Sequence, residues 1–194
     1  MVLLRRVGAG LLALAGVALF AHDAAATDHV RVVVAARDLT PGIKLDAADV
    51  RIAEYSPALV PDGAVLDVDE VLAHTVAGPI RAGEPLTDLR LLSSRLAEAA
   101  MDGQDARIVP IRLTDAGMTD LLRAGDTVDV LTVGAGEEDR SARMLAAKAV
   151  VVLVSPEEAR GARRDRVVLV AMSPEDATEV AASSLIDSLT VTLH

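Results

Sequence analysis

The phrase Leu39-x-x-Gly42-x-x-Leu45-Asp46 returns as Ile80-x-x-Gly83-x-x-Leu86-Thr87, every anchor displaced by the same 41 positions (83 − 42). In the first copy Pro41 precedes Gly42. Proline fixes φ for the second position of a type II turn, and glycine supplies the positive φ its third position needs. Two such β-loops related by a pseudo-twofold would bury their apolar anchors against each other. Two copies are too few for a solenoid, which stacks several repeats. The flanks fit this reading. Val30-Arg31-Val32-Val33-Val34-Ala35 is a β-branched run expected as a buried strand, and Val50-Arg51-Ile52-Ala53-Glu54-Tyr55 alternates as a half-buried one. Between them Asp46 is placed to cap a short turn at Ala47-Ala48, with Asp49 able to reach back three residues.

These landmarks fall in a recognisable order. Val33-Val34-Ala35-Ala36-Arg37-Asp38-Leu39-x-x-Gly42-x-x-Leu45, then Ala47-Ala48-Asp49-Val50, then Pro79-Ile80-Arg81-Ala82-Gly83-Glu84-Pro85-Leu86 resembles a SAF domain over residues 30–92. The resemblance implies a β-clip fold in which two long β-loops clasp each other. Such domains occur in antifreeze-like proteins, sialic acid synthases, sugar-acid dehydratases, flagellar P-ring chaperones and Flp pilus assembly proteins. The domain therefore implies a fold more firmly than a function.

Residues 93–106 read as a linker with some helical tendency. Residues 107–113 read as a strand, placed at a sheet edge by Pro110, which cannot donate to a ladder. Thr114 is the expected cap of a helix running through Leu122 and stopping at Gly125. Residues 127–133, 145–154 and 167–172 read as strands, with a polar loop over 134–142. Ser173-Pro174-Glu175-Asp176 opens a helix, with serine at the N-cap and proline at the first helical position. Ala177, Val180, Ala181, Ser184 and Leu185 are expected to share its buried face by their spacing. An alternating strand, Leu189-Thr190-Val191-Thr192-Leu193, closes the unit.

Within that unit, Leu121-Leu122-Arg123-Ala124-Gly125-Asp126-Thr127-Val128-Asp129-Val130-Leu131 resembles the x-GD-x-VDV signature of Flp/Tad pilus assembly proteins of the CpaB/RcpC family. Residues 167–193 are similar to that family's closing strand–helix–strand. The fold class expected is mainly β with short helices, a SAF β-clip domain at 30–92 followed by a small α+β domain at 107–194. Gly42, Gly83 and Gly125 are its expected structural turns.

Ahead of these lie residues 1–26. Arg5 and Arg6 precede an uncharged, mostly apolar run that opens at Val7 and closes at Ala21, followed by Ala24-Ala25-Ala26. These are the parts of an export signal. As a helix the run reaches about 22 Å at 1.5 Å per residue, short of a hydrocarbon core of about 30 Å. Length favours a cleaved signal, whereas the family resemblance implies an uncleaved membrane anchor. Either places the rest of the chain outside the cytoplasm, in the cell envelope or secreted. Gly8-Ala9-Gly10 begins a nominal dinucleotide fingerprint, but no strand precedes it, so it carries no such site.

Hydrophobic residues make up 52% of the 194, yet Phe20 and Tyr55 are the sole aromatics. The core must be built from Val, Leu, Ile and Ala, which suit pleated β layers. With a net charge of −10, polyanions are repelled, which weighs against nucleic acid as a partner. Arg160, Arg163, Arg164 and Arg166 form a local basic run, read as a solvated loop with a lipid or acidic partner as the competing view. Cysteine is absent, which removes thiol catalysis and thiolate metal sites.

Nothing in the chain joins a nucleophile to a base. His22, His29 and His194 lie near the ends, and His74 has no carboxylate at a telling spacing. Asp67-Val68-Asp69-Glu70 lacks the glycine and spacing of a calcium loop, and Asp67 reads as a cap. Asp126 and Asp129 suit turn and strand-surface roles. The expectation is a protein without catalytic residues, cofactor or metal. Its implied role is in Flp/Tad pilus assembly, in an oligomeric setting with other pilus or envelope proteins. The alternatives are an exported SAF module binding glycan or peptidoglycan, and an accessory chaperone of another surface appendage.

Overall fold

The computed structural model describes Arg6, Gly8, Gly10, residues 14–17, 29–133, 141–156 and 166–194. Two strands open the described body: β1 (Val30–Ala35) and β2 (Val50–Tyr55) pair antiparallel, with Val33 opposite Ile52. Val32, Val33, Val34 and Ala35 are fully buried. The β-branched run is therefore enclosed on both faces, which is why it shows no alternation. Around β1 the chain forms a core of Leu39, Leu45, Val65, Val71, Val76, Ile80, Leu86 and Leu91. Both apolar anchors of each repeated phrase lie in it.

The remaining strands, β3 (Arg107–Arg112), β4 (Thr127–Val133), β5 (Ala142–Val154), β6 (Val167–Met172) and β7 (Leu189–Leu193), form one antiparallel sheet in the order β3-β6-β5-β4-β7. Pro110 lies on β3, an edge of that order, where a missing N–H breaks no ladder. The two edges meet: Leu113 bridges Leu189 in parallel, and the Thr114 N–H donates to the Leu189 carbonyl at 3.0 Å. The sheet is thus curled toward a barrel.

Alternate residues face opposite sides of a strand, and the sheet uses both. Val109, Ile111, Val130, Val151, Val168, Val170 and Val191 fill one face. Helix α3 (Pro174–Ser183) lays Ala177 and Val180 onto it. Ile108, Leu169, Ala171 and Val152 on the other face meet helix α1 (Ser94–Ala100) through Ala97 and Leu96. Residues 93–106, read as a linker, thus hold a packed helix. Ser93 caps it by accepting from the Leu96 N–H at 3.3 Å.

Three other expectations are corrected. The cap of α2 (Ala116–Leu121) is Asp115, which accepts from the Gly117 N–H at 2.8 Å. Thr114 instead turns its hydroxyl to the Leu189 carbonyl at 3.2 Å, because closing the sheet claims it. On α3 the buried positions are Ala177, Val180 and Ser183, while Ala181, Ser184 and Leu185 are exposed. The helix ends at Ser183, so its spacing cannot be carried to Leu185, which is 84% exposed beside Ile186 at 85%. Strand β5 begins at Ala142, earlier than its apolar pattern suggested, and bulges in its middle. Of the basic run, Arg160, Arg163 and Arg164 lie outside the described residues, as does most of the polar loop at 134–142, while Arg166 pairs with Asp120 and donates to the Ser155 carbonyl at 3.0 Å.

Candidate functional site

The two repeated phrases lock together by exchanging backbone hydrogen bonds. Leu39 and Ile80, the equivalent first anchors, bond reciprocally at 2.8 and 3.1 Å. The Gly42 N–H donates to the Val76 carbonyl, and the Gly83 N–H to the Ala35 carbonyl, both at 2.8 Å. The Leu45 N–H reaches His74, and the Leu86 N–H reaches Val33, both at 2.9 Å. Shifting each residue by the repeat offset turns one bond of each pair into the other. Each loop therefore sits on the strand that leads into its twin, as a pseudo-twofold clasp requires.

Gly42 and Gly83 take φ of +84° and +85°, the left-handed region that costs a residue with a Cβ. The Ile43 N–H faces the Thr40 carbonyl at 3.5 Å, and the Glu84 N–H donates to Arg81 at 3.0 Å, closing both turns. Polar side chains pin the second loop. Asp38 accepts from the Ala82 N–H at 2.9 Å and from Arg81 at 2.6 Å. The first of these bonds, then the second, holds the Asp38 carboxyl below its ordinary range. Glu84 accepts from the Arg81 N–H at 3.1 Å and pairs with Arg90. The Tyr55 hydroxyl donates to the Gly83 carbonyl at 3.3 Å. At the base of the first loop, Asp49 accepts from the Asp46 N–H at 3.1 Å while Asp46 accepts from the Ala48 N–H at 2.8 Å. Asp49 is buried and faces Arg37 at 2.5 Å.

One residue escaped the sequence reading. Gly63 has φ +71°, and a Cβ built there would run into the Asp88 carboxylate. The signal was present in Asp62-Gly63, a turn dipeptide, but its partner lies 25 positions away (88 − 63) and left no local trace.

The signature of the second unit resolves into structural tasks. Gly125 takes φ +97° and donates to the Val151 carbonyl at 2.8 Å. Asp126 accepts from the Arg123 N–H at 2.7 Å, capping the turn. Val128 and Val130 are fully buried. Asp129 points the other way and accepts from the Lys148 N–H at 2.8 Å, with His194 Nε2 also 2.8 Å from the same oxygen. Lys148 has φ +53° and sits where two residues of β5, Ala147 and Lys148, oppose one of β4, a β-bulge. Asp129 thus holds a bulge in place. The Lys148 N–H foremost, then His194, lowers its carboxyl below the ordinary range.

His74 is exposed, with Nδ1 3.4 Å from the Leu72 carbonyl. Asp67 caps a short 3₁₀ turn, Val68–Glu70, by accepting from the Asp69 N–H at 3.0 Å. Among the described residues no group of three or more His, Cys, Asp or Glu is arranged to hold a metal ion. Among them, too, no helix is long and apolar enough to cross a membrane.

A small domain closed by two loops that exchange backbone bonds, followed by a curled antiparallel sheet, is the class this geometry defines. Residues 30–92 match the SAF domain family, and this stretch of the chain is a SAF domain. Among curated proteins and solved structures, none matches the chain.

Proposed function

We propose that the protein is a non-enzymatic component of Flp/Tad-type pilus assembly in the cell envelope, exported through its N-terminal segment and acting by binding partner proteins. The observation that supports this most is the fate of the signature's polar residues. Asp126 and Asp129 both spend carboxylate oxygens on backbone N–H groups. A general acid or base must instead face a substrate. Residues committed to holding turns build surfaces, and surfaces recruit partners. The SAF domain at 30–92 is compatible with several functions, and the G-D-x-V-D-V segment that follows it, by its resemblance to Flp/Tad pilus assembly proteins, supports pilus assembly among them.

Complementation of a deletion strain, scored by pili on the cell surface, tests the proposal. Removing residues 30–92 or residues 107–194 should abolish pili. The His74→Ala protein, folded and abundant, should restore them. Normal pili in the deletion strain would overturn the assignment.

A further inference from the structure

Beside the start of β1 the SAF domain opens a groove of about 500 Å³ lined by His29, Val30, Arg31, Ile52, Leu66, Asp67 and Val68. It begins where two segments part. The Val33 N–H donates to the Val65 carbonyl at 2.9 Å; before Val33 and beyond Val65 no backbone bond joins the two segments among the described residues. Backbone groups of alternate strand residues point to the same side. Val33 and Ala35 both turn theirs away from β2, toward Val65, Leu86 and Glu84. Arg31 shares their parity, so its N–H and C=O face the groove, and none of the loop bonds among the described residues takes them. An open strand edge of this kind is a template for another chain.

The walls define what would enter. Leu66 is 53% exposed, and Val30, Ile52 and Val68 are half-buried, giving an apolar floor for a side chain. Charge around the groove is acidic. Asp67, Asp69 and Glu70 are exposed, and none joins the ion pairs seen among the described residues. Arg31, the fixed cation of the lining itself, stands opposite Glu54 in the β-pair, and His29 also lines the groove, so the three carboxylates outnumber the fixed positive charge.

We infer that this groove is a docking slot for an extended, basic peptide segment of a partner protein, which adds to the free edge of β1 at Arg31 and seats an apolar side chain against Leu66. The slot does not depend on which machine the protein serves. An alternating Lys-Val octapeptide is the probe, titrated into the full chain and followed by the Arg31 amide and by peptide anisotropy. The Arg31 amide should exchange freely in the unbound protein and become protected in the complex. An alternating Glu-Val octapeptide and a Lys-Val octapeptide N-methylated at every backbone nitrogen, the latter without an N–H to donate to a ladder, should each bind at least about tenfold more weakly. Leu66→Ser and the double change Asp69→Lys/Glu70→Lys, all at exposed positions, should weaken the Lys-Val peptide similarly while leaving the melting temperature unchanged. Equal binding of the N-methylated peptide would mean charge attraction alone and would overturn the slot. So would an Arg31 amide already protected without peptide, or binding unaffected by Leu66→Ser.

Discussion

The SAF domain and the sheet that follows it solve the same problem in opposite ways. Each must satisfy backbone groups around a core made almost wholly of Val, Leu, Ile and Ala. The sheet does it with long ladders, in which each residue's bond is backed by its neighbours. The clasp does it with isolated bridges, such as Val34 with Pro85 and its twofold counterpart Lys44 with Thr75. A ladder tolerates a local fault, as the bulge at Lys148 shows. A clasp made of single bonds depends on the loop conformation that aims each one, so its glycines carry more of the fold.

The sharpest way to break that comparison is to truncate the residue where the repeats meet. Ile80→Ala, at 1% exposure, should cost about 2–5 kcal/mol, as buried large-to-small changes do. Urea unfolding gives the value, and a loss below about 1 kcal/mol would show that the two loops do not depend on each other. Next come the glycines. Gly63→Ala should cost about 1 kcal/mol or somewhat more, from its positive φ and from the Asp88 carboxylate having to swing aside. Gly42→Ala and Gly83→Ala meet nothing closer than 3.5 Å and should cost about 1 kcal/mol each, from φ alone. Gly78→Ala has neither burden, and its melting temperature should match the parent. If all four variants melt together, the dependence of the clasp on its turns is refuted.

A smaller effect separates the two anchoring aspartates. Asp129→Ala frees the Lys148 N–H and should raise hydrogen exchange there without loosening the rest of β5. Asp38→Ala should do the same at Ala82. Unchanged exchange at Lys148 would deny Asp129 its role in the bulge. The smallest effect is on pH. Both carboxyls are depressed in the folded state, so the stability they contribute is present above the unfolded value near pH ~3.9 and is lost as pH falls through the folded values. Acid unfolding of the Asp38→Asn/Asp129→Asn protein should therefore lose part of its pH dependence in that window. An acid limb identical to the parent's would sink this assignment.

What the sequence disclosed follows the reach of each interaction. The loops at Gly42 and Gly83, the caps at Asp67 and Ser173 and the edge position of Pro110 are set within a few residues, and all were legible. Thr114 was misread because its partner, Leu189, comes from the far end of the unit. The face of α3 was misread because periodicity does not say where a helix stops. The contact of Gly63 with Asp88 and the groove at Arg31 were invisible for the same reason as the bulge: each is defined by a segment that the local pattern never mentions. The pairing of the repeats lay between these cases. Its offset was plain, and the exchange of bonds followed once two equal loops had to face one another.

The closing bridge between Leu113 and Leu189 also sets an order of events. The first strand of the second unit, β3, pairs with β6, and the sheet is sealed only at Leu189, 76 positions (189 − 113) after Leu113. Contacts so distant along the chain carry a loop-closure cost before any reward, which slows folding. The SAF domain, whose clasp is complete by residue 92, has no such wait. As the chain emerges, the clasp can form while the unit behind it is still open. The sheet must stay unfinished until β7 arrives, so a truncation that removes Leu189–Leu193 should leave the clasp folded and the second unit unable to close.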